Sequence, residues 1–288
     1  MAHALTFGSV CSGIGGFELG LERAGLECIW QVENEPHCLK VLEKHWPEVT
    51  RYGDVREVDW SAVEPPHALC AGFPCQPVST AGRGLAQDDP RGLWPEITRC
   101  LRDLRERPRW VVLENVSALA ARGLGDVLGD LASLGYDCEW SSVSASRVGA
   151  PHLRDRIWIV GYLADADSIA SQHEREPRVI PGTSKEVGGD PARERSILPQ
   201  LDSVDRCGKA EPRIFTRRAY KLLDEIRRTR GDELWGEDPS ANPGSGVRRV
   251  SHGVPNRAHR LRGLGNAVVP LIPEWIGGLI AVQDEGGR

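Results

Sequence analysis

No C-x-x-C pair occurs among the eight cysteines (11, 28, 38, 70, 75, 100, 138 and 207), and neither they nor the eight histidines recur at a zinc-ligand spacing. A zinc site is therefore not expected. Most of the cysteines sit inside apolar runs, as Cys70 does in "HALCAG", where a thiol behaves as a small hydrophobe. Free thiols in a reducing cytoplasm are the natural reading. Long apolar runs are also missing. The longest near a terminus, around Trp275 to Val282, is too short and too glycine-rich to span a bilayer, so no membrane partner is expected. No basic segment followed by an apolar core opens the chain, which does not point to secretion. There is no internal repeat.

What is present is the composition of an ordinary soluble protein: 288 residues, 40% hydrophobic and 27% charged, enough for one large domain plus a smaller one. The net charge of −5 is unevenly spread. Residues 1–164 hold 16 Lys+Arg against 22 Asp+Glu, a balance of −6, whereas residues 165–262 hold 19 against 16, a balance of +3. An acidic part is thus followed by a mildly basic, arginine-rich one. Alone this is a weak pointer to nucleic acid, because a solvated mixed-charge surface gives similar counts.

Strand and helix signals alternate through the first 164 residues, the signature of an α/β, doubly wound sheet. Strands are expected at Leu5–Cys11, Glu27–Val32, Ala68–Ala71, Arg109–Asn115, Tyr136–Ser146 and Arg156–Leu163, the last two as antiparallel neighbours. Helices are expected at Gly16–Ala24, from Pro36 to Trp46, and at Leu93–Glu106 before Pro108. From Asp165 to about Arg249 the chain becomes polar and rich in Pro and Gly, with one convincing helix at Phe215–Thr229. That helix reads equally as amphipathic with a solvated face or as a source of phosphate contacts. Regular structure returns with a helix from Pro270 to Val282.

"CSGIGGFELGLERAG" follows the first strand and opens the first helix. Glycines at 13, 15 and 16 let the turn pass close to a ligand, and the helix N-terminus favours negative charge. Glu33 stands 20 residues after Gly13 at the end of the second strand, where an acid commonly bonds ribose hydroxyls. "GDV" at 53–55 places Asp54 just beyond the expected third strand. These features fit a nucleotide-like cofactor, a nicotinamide dinucleotide included, or a plain tight turn with exposed acids.

"ALCAGFPCQPVSTAGRG" narrows the choice. Cys75 follows a buried strand at its carboxyl edge, where α/β folds bind ligands, and prolines flank Cys75-Gln76. About forty residues later "LENV" sets Glu114 and Asn115 at the end of another strand, and "APHLRDRIWIVG" supplies Arg154 and Arg156 just before a third. A thiolate adding to C6 of cytosine turns the ring into an enamine that takes a methyl group at C5. Protonating N3 favours the addition and calls for a carboxylic acid of raised pKa, a part Glu114 suits. A nearby arginine lowers the thiol pKa. The ordinary alternatives are a structural cysteine, an exposed acid and arginines in surface ion pairs; His152 reads as a loop hydrogen-bonder.

In the order "CSGIGGF", "VEN", "GDV", "GFPCQPVS", "LENV", "RDR" and "GLGNAVVP", the chain resembles the cytosine-5 DNA methyltransferase family over nearly all of 1–164 and again over about 247–282. The resemblance implies a Rossmann-like methyltransferase sheet, S-adenosylmethionine as cofactor, Cys75 as nucleophile, Glu114 as N3 proton donor, and Arg154 and Arg156 as active-site arginines. It puts the ribose on Glu33, the adenine amino group on Asp54 and the methionine end on Asn266 and Ala267. The remaining cofactor contacts would come from Cys11, Ser12, Gly13, Ile14, Gly15 and Gly16 in the turn, and from Asn34, Val55 and Pro74. Two departures stand out. The family usually has Phe where this chain has Cys11, which should weaken packing on the adenine. It usually has Gln-Arg-Arg-x-Arg where this chain has His152-Leu153-Arg154-Asp155-Arg156, so the Gln and the first basic residue are missing.

The resemblance further implies double-stranded DNA as substrate, a monomeric enzyme in the cytoplasm of a bacterial or phage-infected cell, and a cognate restriction endonuclease. It divides the chain into a catalytic and cofactor-binding domain (1–164), a target recognition domain (165–250), and a hinge and C-terminal segment returning to the catalytic domain (251–288). RNA cytosine methylation by the same chemistry is the nearest alternative. A catalytically inactive DNA-binding module is another, against which the retained cysteine, glutamate and arginines argue.

Overall fold

The computed structural model describes residues 5–74, 92–150, 152–163, 214–216, 219–224, 228 and 263–286. The chain divides into two compact units, Met1–Leu163 with Arg213–Arg288, and Ala164–Pro212. Every described residue belongs to the first.

Its strands are β1 (Thr6–Val10), β2 (Glu27–Val32), β3 (Thr50–Tyr52), β4 (Ala68–Gly72), β5 (Trp110–Val116), β6 (Tyr136–Ser144) and β7 (Asp155–Leu163). They form one sheet in the order β3-β2-β1-β4-β5-β7-β6. The first five are parallel, and β7 runs antiparallel to both β5 and β6. The expected antiparallel pairing of the last two strands is thus present. The central strands read as continuous apolar runs because both faces are covered. Alternate residues point to opposite sides: Leu69, Ala71, Val111, Leu113, Ile157 and Ile159 enter one core cluster, while Ala68, Cys70, Trp110, Val112, Trp158 and Val160 enter the other.

Six α-helices are labelled here: α1 (Gly16–Arg23), α2 (Pro36–His45), α3 (Trp94–Asp103), α4 (Leu119–Arg122), α5 (Leu124–Ser133) and α6 (Leu271–Gly286). Ile97 and Leu101 of α3 pack with Val127 and Leu131 of α5 in the first cluster. Phe17 and Leu21 of α1 pack with Trp275, Ile276 and Ile280 of α6 in the second. The doubly wound architecture read from the sequence is therefore present, with the order reversing between β1 and β4, the point where such sheets open a crevice.

Several boundaries differ from expectation. α3 ends at Asp103 because Leu104 takes an extended ψ of 138°, three residues short of Glu106. β6 ends at Ser144, and a 3-10 turn over Ala145–Val148 replaces the last two expected strand residues. β1 stops before Cys11, whose φ of 57° cannot continue a strand. α6 runs on to Gly286. Helices α4 and α5 were not anticipated, since "LAARGLGDVLGD" is broken by glycines.

Within the expected helix Phe215–Thr229, residues 219–224 and 228 are helical. Ile214, Phe215, Ala219 and Leu223 are buried in the second core cluster. The Trp275 indole donates to the Ala219 carbonyl at 2.9 Å, the Tyr220 and Ser141 hydroxyls meet at 2.5 Å, and Arg147 lies 4.5 Å over the Tyr220 ring. The apolar side of this segment is consumed by packing on α6 and β6.

One acid is fully enclosed in this packing. Glu18 of α1 is 0% exposed, accepts from Gln31 Nε2 at 3.4 Å and lies beside Ser9 and Ser12. Burial is the dominant influence and raises its carboxyl to about 7. An unfolded chain releases this proton above about pH 4.5, the folded chain only near 7. Stability is full below the lower value, falls between the two, and levels above, by roughly 3 kcal/mol in all. Glu18→Gln removes the proton release, so the loss of unfolding free energy between pH 5 and pH 8 should shrink by about 2–3 kcal/mol in urea titrations. Parallel losses in both proteins would show that Glu18 is charged in the fold.

Candidate active site

The turn after β1 is built from left-handed residues: Cys11 at φ 57°, Gly13 at 58° and Gly15 at 87°. Cys11 is the one non-glycine in that region among the described residues, and it tolerates a conformation that costs an L-residue about 1–2 kcal/mol. Two bonds tie the turn to β2. Ser12 N donates to the Val32 carbonyl at 3.1 Å, and Gly13 N donates to Glu33 Oε2 at 2.8 Å. Glu33 Oε1 accepts from Asn34 N at 3.0 Å and Glu35 N at 2.8 Å. A carboxylate offers about four acceptor positions; three hold backbone here, so Glu33 shapes the turn as well as facing the cavity beside it. Gly16 approaches the returning C-terminal segment so closely that a Cβ would stand 2.5 Å from the Val268 carbonyl oxygen.

Asp54 caps the 3-10 turn Val55–Glu57, accepting from Arg56 N at 3.0 Å. The Arg56 guanidinium pairs with its other oxygen at 3.2 Å. The Cys11 thiol is pushed up to about 12, first by burial and then by the charges of Glu33 and Asp54. It therefore stays a neutral thiol.

At the other end, the parallel register of β4 and β5 sets Gly72 beside Glu114, and the antiparallel register of β5 and β7 sets Val116 beside Arg156. Glu114 is buried, 7% exposed, and forms an ion pair with Arg156 Nε at 2.9 Å. Burial raises its pKa, while the positive charges of Arg156 and Arg154 oppose the rise. Arg154 donates to the Gly265 carbonyl at 2.7 Å, and its buried Nε has no hydrogen-bond partner. Burial and the neighbouring Arg156 lower its pKa. Asn115, 2% exposed, donates from Nδ2 to the Phe73 carbonyl at 3.0 Å and accepts from Val116 N at 2.8 Å. It thus holds the chain just before Pro74. Cys75 lies outside the described residues.

These two ends line one cavity of about 490 Å³, within the size range of small-molecule sites. Of the residues singled out from the sequence, Cys11, Gly13, Glu33, Asn34, Asp54, Val55, Pro74, Glu114, Arg154, Arg156 and Asn266 are in its wall. Ser12, Ile14, Gly15, Gly16 and Ala267 are not. Ser12 is buried behind the turn with its hydroxyl on Ser9. The wall also holds Glu35, Cys38, Arg56, Phe73, Leu93, Val116, Gly263 and Gly265, which sequence reading did not single out. Phe73, Val116, Gly263 and Gly265 lay inside quoted motifs and were recoverable. Cys38 and Arg56 reach the cavity only through the fold, and no local pattern marks them.

Chain order, strand order and the paired cavity define a methyltransferase-type doubly wound fold. The Schizosaccharomyces pombe Dnmt2 methyltransferase shares it, with a TM-score of 0.58 over 99% of both chains at 16% identity. The C-5 cytosine-specific DNA methylase family matches residues 5–202, and the chain belongs to that family. It is 30% identical over 193 residues to the Type II methyltransferase M.NgoBV of Neisseria gonorrhoeae, a match covering 61% of this chain and 45% of that protein. It is 32% identical over 166 residues to the Type II methyltransferase M.HhaI of Haemophilus parahaemolyticus, covering 56% and 50%. The chain thus spans about half the length of the curated relatives it matches.

Proposed function

We propose that this chain is a DNA (cytosine-5)-methyltransferase that methylates C5 of a cytosine flipped out of double-stranded DNA, through a covalent bond between Cys75 and C6. The observation that carries this reading is the single cavity with acidic hydrogen-bond acceptors at one end and a buried Glu114–Arg156 pair at the other.

The acidic end fits S-adenosylmethionine. Its ribose hydroxyls and adenine amino group are donors, matched by Glu33 and Asp54, and the first turn of α1 has no side-chain cap on its N–H groups. Asn266, beside Gly265 in the cavity wall, would meet the methionine end. When bound, the cofactor supplies an electrophilic methyl group.

At the other end, burial raises the Glu114 pKa against the pull of Arg156 and Arg154, which suits this carboxyl to offer a proton to N3 of the cytosine. Cys75, as thiolate, forms the Sγ–C6 bond while N3 takes up the Glu114 proton, and the ring's C5 becomes nucleophilic. C5 would take the methyl group as the cofactor's sulfonium–methyl bond breaks and its thioether leaves; a base would then remove the C5 proton, the Sγ–C6 bond would break with the thiolate leaving, and N3 would return its proton to Glu114. Arg156 fixes the Glu114 carboxyl in place, and Arg154 contributes a second positive charge that favours the thiolate.

We further assign DNA sequence choice to residues 165–250, on the composition break at Asp165 and the change of charge balance there. Phosphate contacts from arginines would give salt-dependent affinity, and base-edge contacts the choice. The Type II methyltransferase relatives support a restriction–modification setting with a cognate endonuclease.

Duplex DNA containing 5-fluorocytosine, incubated with enzyme and S-adenosylmethionine, should give a complex that survives denaturing electrophoresis, because fluorine blocks the final elimination. Cys75→Ala should give none, and Glu114→Gln should form it roughly 100-fold more slowly; a stable adduct with Cys75→Ala refutes the assignment. Glu33→Ala should weaken S-adenosylmethionine binding by about 1–3 kcal/mol in calorimetry, and unchanged affinity in a folded variant would remove Glu33 from the cofactor site. Grafting residues 165–250 of a relative with another target should redirect methylation in bisulfite maps. An active chimera that keeps the original sites would place specificity elsewhere.

A further inference from the structure

The wall residue closest in sequence to Cys75 after Pro74 is Phe73, and the fold grips it twice. Its carbonyl accepts from Asn115 Nδ2 at 3.0 Å. Its ring, on a side chain 6% exposed, lies 5.4 Å from the ring of Trp94 at an interplanar angle of 38°. Trp94 opens α3, immediately after the segment that carries Cys75. Its indole N–H in turn donates to Asp130 Oδ2 of α5 at 2.7 Å. The two ends of that segment are therefore joined ring to ring, and the joint is anchored to a helix on the sheet's first core face. Neither Trp94 nor Asp130 lines the cavity.

We infer that Trp94 and Asp130 are positioning residues for the Cys75 nucleophile, acting through Phe73. This rests on the reading of Cys75 given above. The backbone carbonyl held by Asn115 fixes where the Phe73 peptide sits. It leaves open the direction in which the chain departs toward Pro74 and Cys75. The ring contact supplies that second constraint, because Phe73 cannot turn about its Cα without leaving Trp94. The indole keeps its place because its one donor is committed to Asp130, a short charge-assisted bond. Nucleophilic attack is sensitive to displacements of about 1 Å, which cost up to roughly 100-fold in rate. A side chain remote from the cavity can thus act on bond formation without touching a ligand. An exposed carboxylate such as Asp130 carries little of the core, so its loss should leave folding nearly intact.

The test uses the full chain with duplex DNA carrying 5-fluorocytosine and saturating S-adenosylmethionine. It follows the rate of covalent adduct formation, cofactor affinity by calorimetry, and the thermal midpoint. Trp94→Phe keeps a ring against Phe73 but removes the N–H; Asp130→Ala removes the acceptor; Asp130→Asn keeps an acceptor oxygen. Trp94→Phe and Asp130→Ala should each slow adduct formation roughly tenfold while leaving cofactor affinity within about twofold. Asp130→Asn should recover most of the rate, and the Trp94→Phe/Asp130→Ala pair should be no slower than the slower single variant. The inference fails if the single variants react at the wild-type rate. It fails equally if the rate falls only in step with cofactor affinity or thermal midpoint, or if the pair is fully additive. Absence of any adduct with the wild-type chain would be a different result, overturning the Cys75 assignment and this inference with it.

Discussion

The register of β7 against β5 is the constraint on which the rest of the site depends. These strands are antiparallel neighbours, so sliding one by a single residue would turn every side chain of β7 to the opposite face. In the observed register Ile157 and Ile159 enter one core and Trp158 and Val160 the other. Arg156, at the mouth of the pair, falls opposite Val116 and reaches Glu114. The apolar core therefore decides where the charge goes. A buried carboxyl next to a guanidinium is held between two tendencies: burial favours the protonated form and the arginine favours the ionised one.

The other end of the cavity is organised by backbone more than by side-chain chemistry. Three peptide N–H groups are drawn onto one carboxylate, Glu33: Gly13 of the left-handed turn, and Asn34 and Glu35 of the segment after β2, so the carboxylate ties the turn to the end of that strand. Such preorganisation lowers the ordering cost of binding. Cys11 belongs to this frame as a compact, neutral side chain. Its thiol stands too high to ionise beside two acids.

The C-terminal segment closes the frame. Gly16 admits the Val268 carbonyl at a distance no larger residue would allow, and Arg154 is tied to Gly265. The two halves of the cavity wall, far apart in the chain, are thereby locked to each other. Ala219 and Tyr220 pack on α6, the Ala219 carbonyl accepting from the Trp275 indole and the Tyr220 ring lying tilted against it. Ile214, Phe215, Ala219 and Leu223 are buried in the same core cluster as α6.

Much of this was legible in the sequence, because parallel strands, glycine turns and acidic strand ends leave local signatures. The doubly wound sheet, the antiparallel final pair, and the placing of Glu33, Asp54, Glu114, Arg154 and Arg156 at strand ends all follow from patterns a few residues long. The family likeness rested on such short blocks in a fixed order. What the sequence could not carry was decided by contacts between distant segments. Glycine breaks hid α4 and α5, whose Leu119, Leu124, Val127 and Leu131 fill the first core cluster. Cys38 and Arg56 reach the cavity, and Ile14 and Gly16 pass behind it, through the packing of loops that no periodicity encodes. Local propensity and spacing determined which chemical groups would stand at the sheet edge. Only the tertiary packing, through strand register, close backbone approach and the burial that sets each pKa, decided which of them meet.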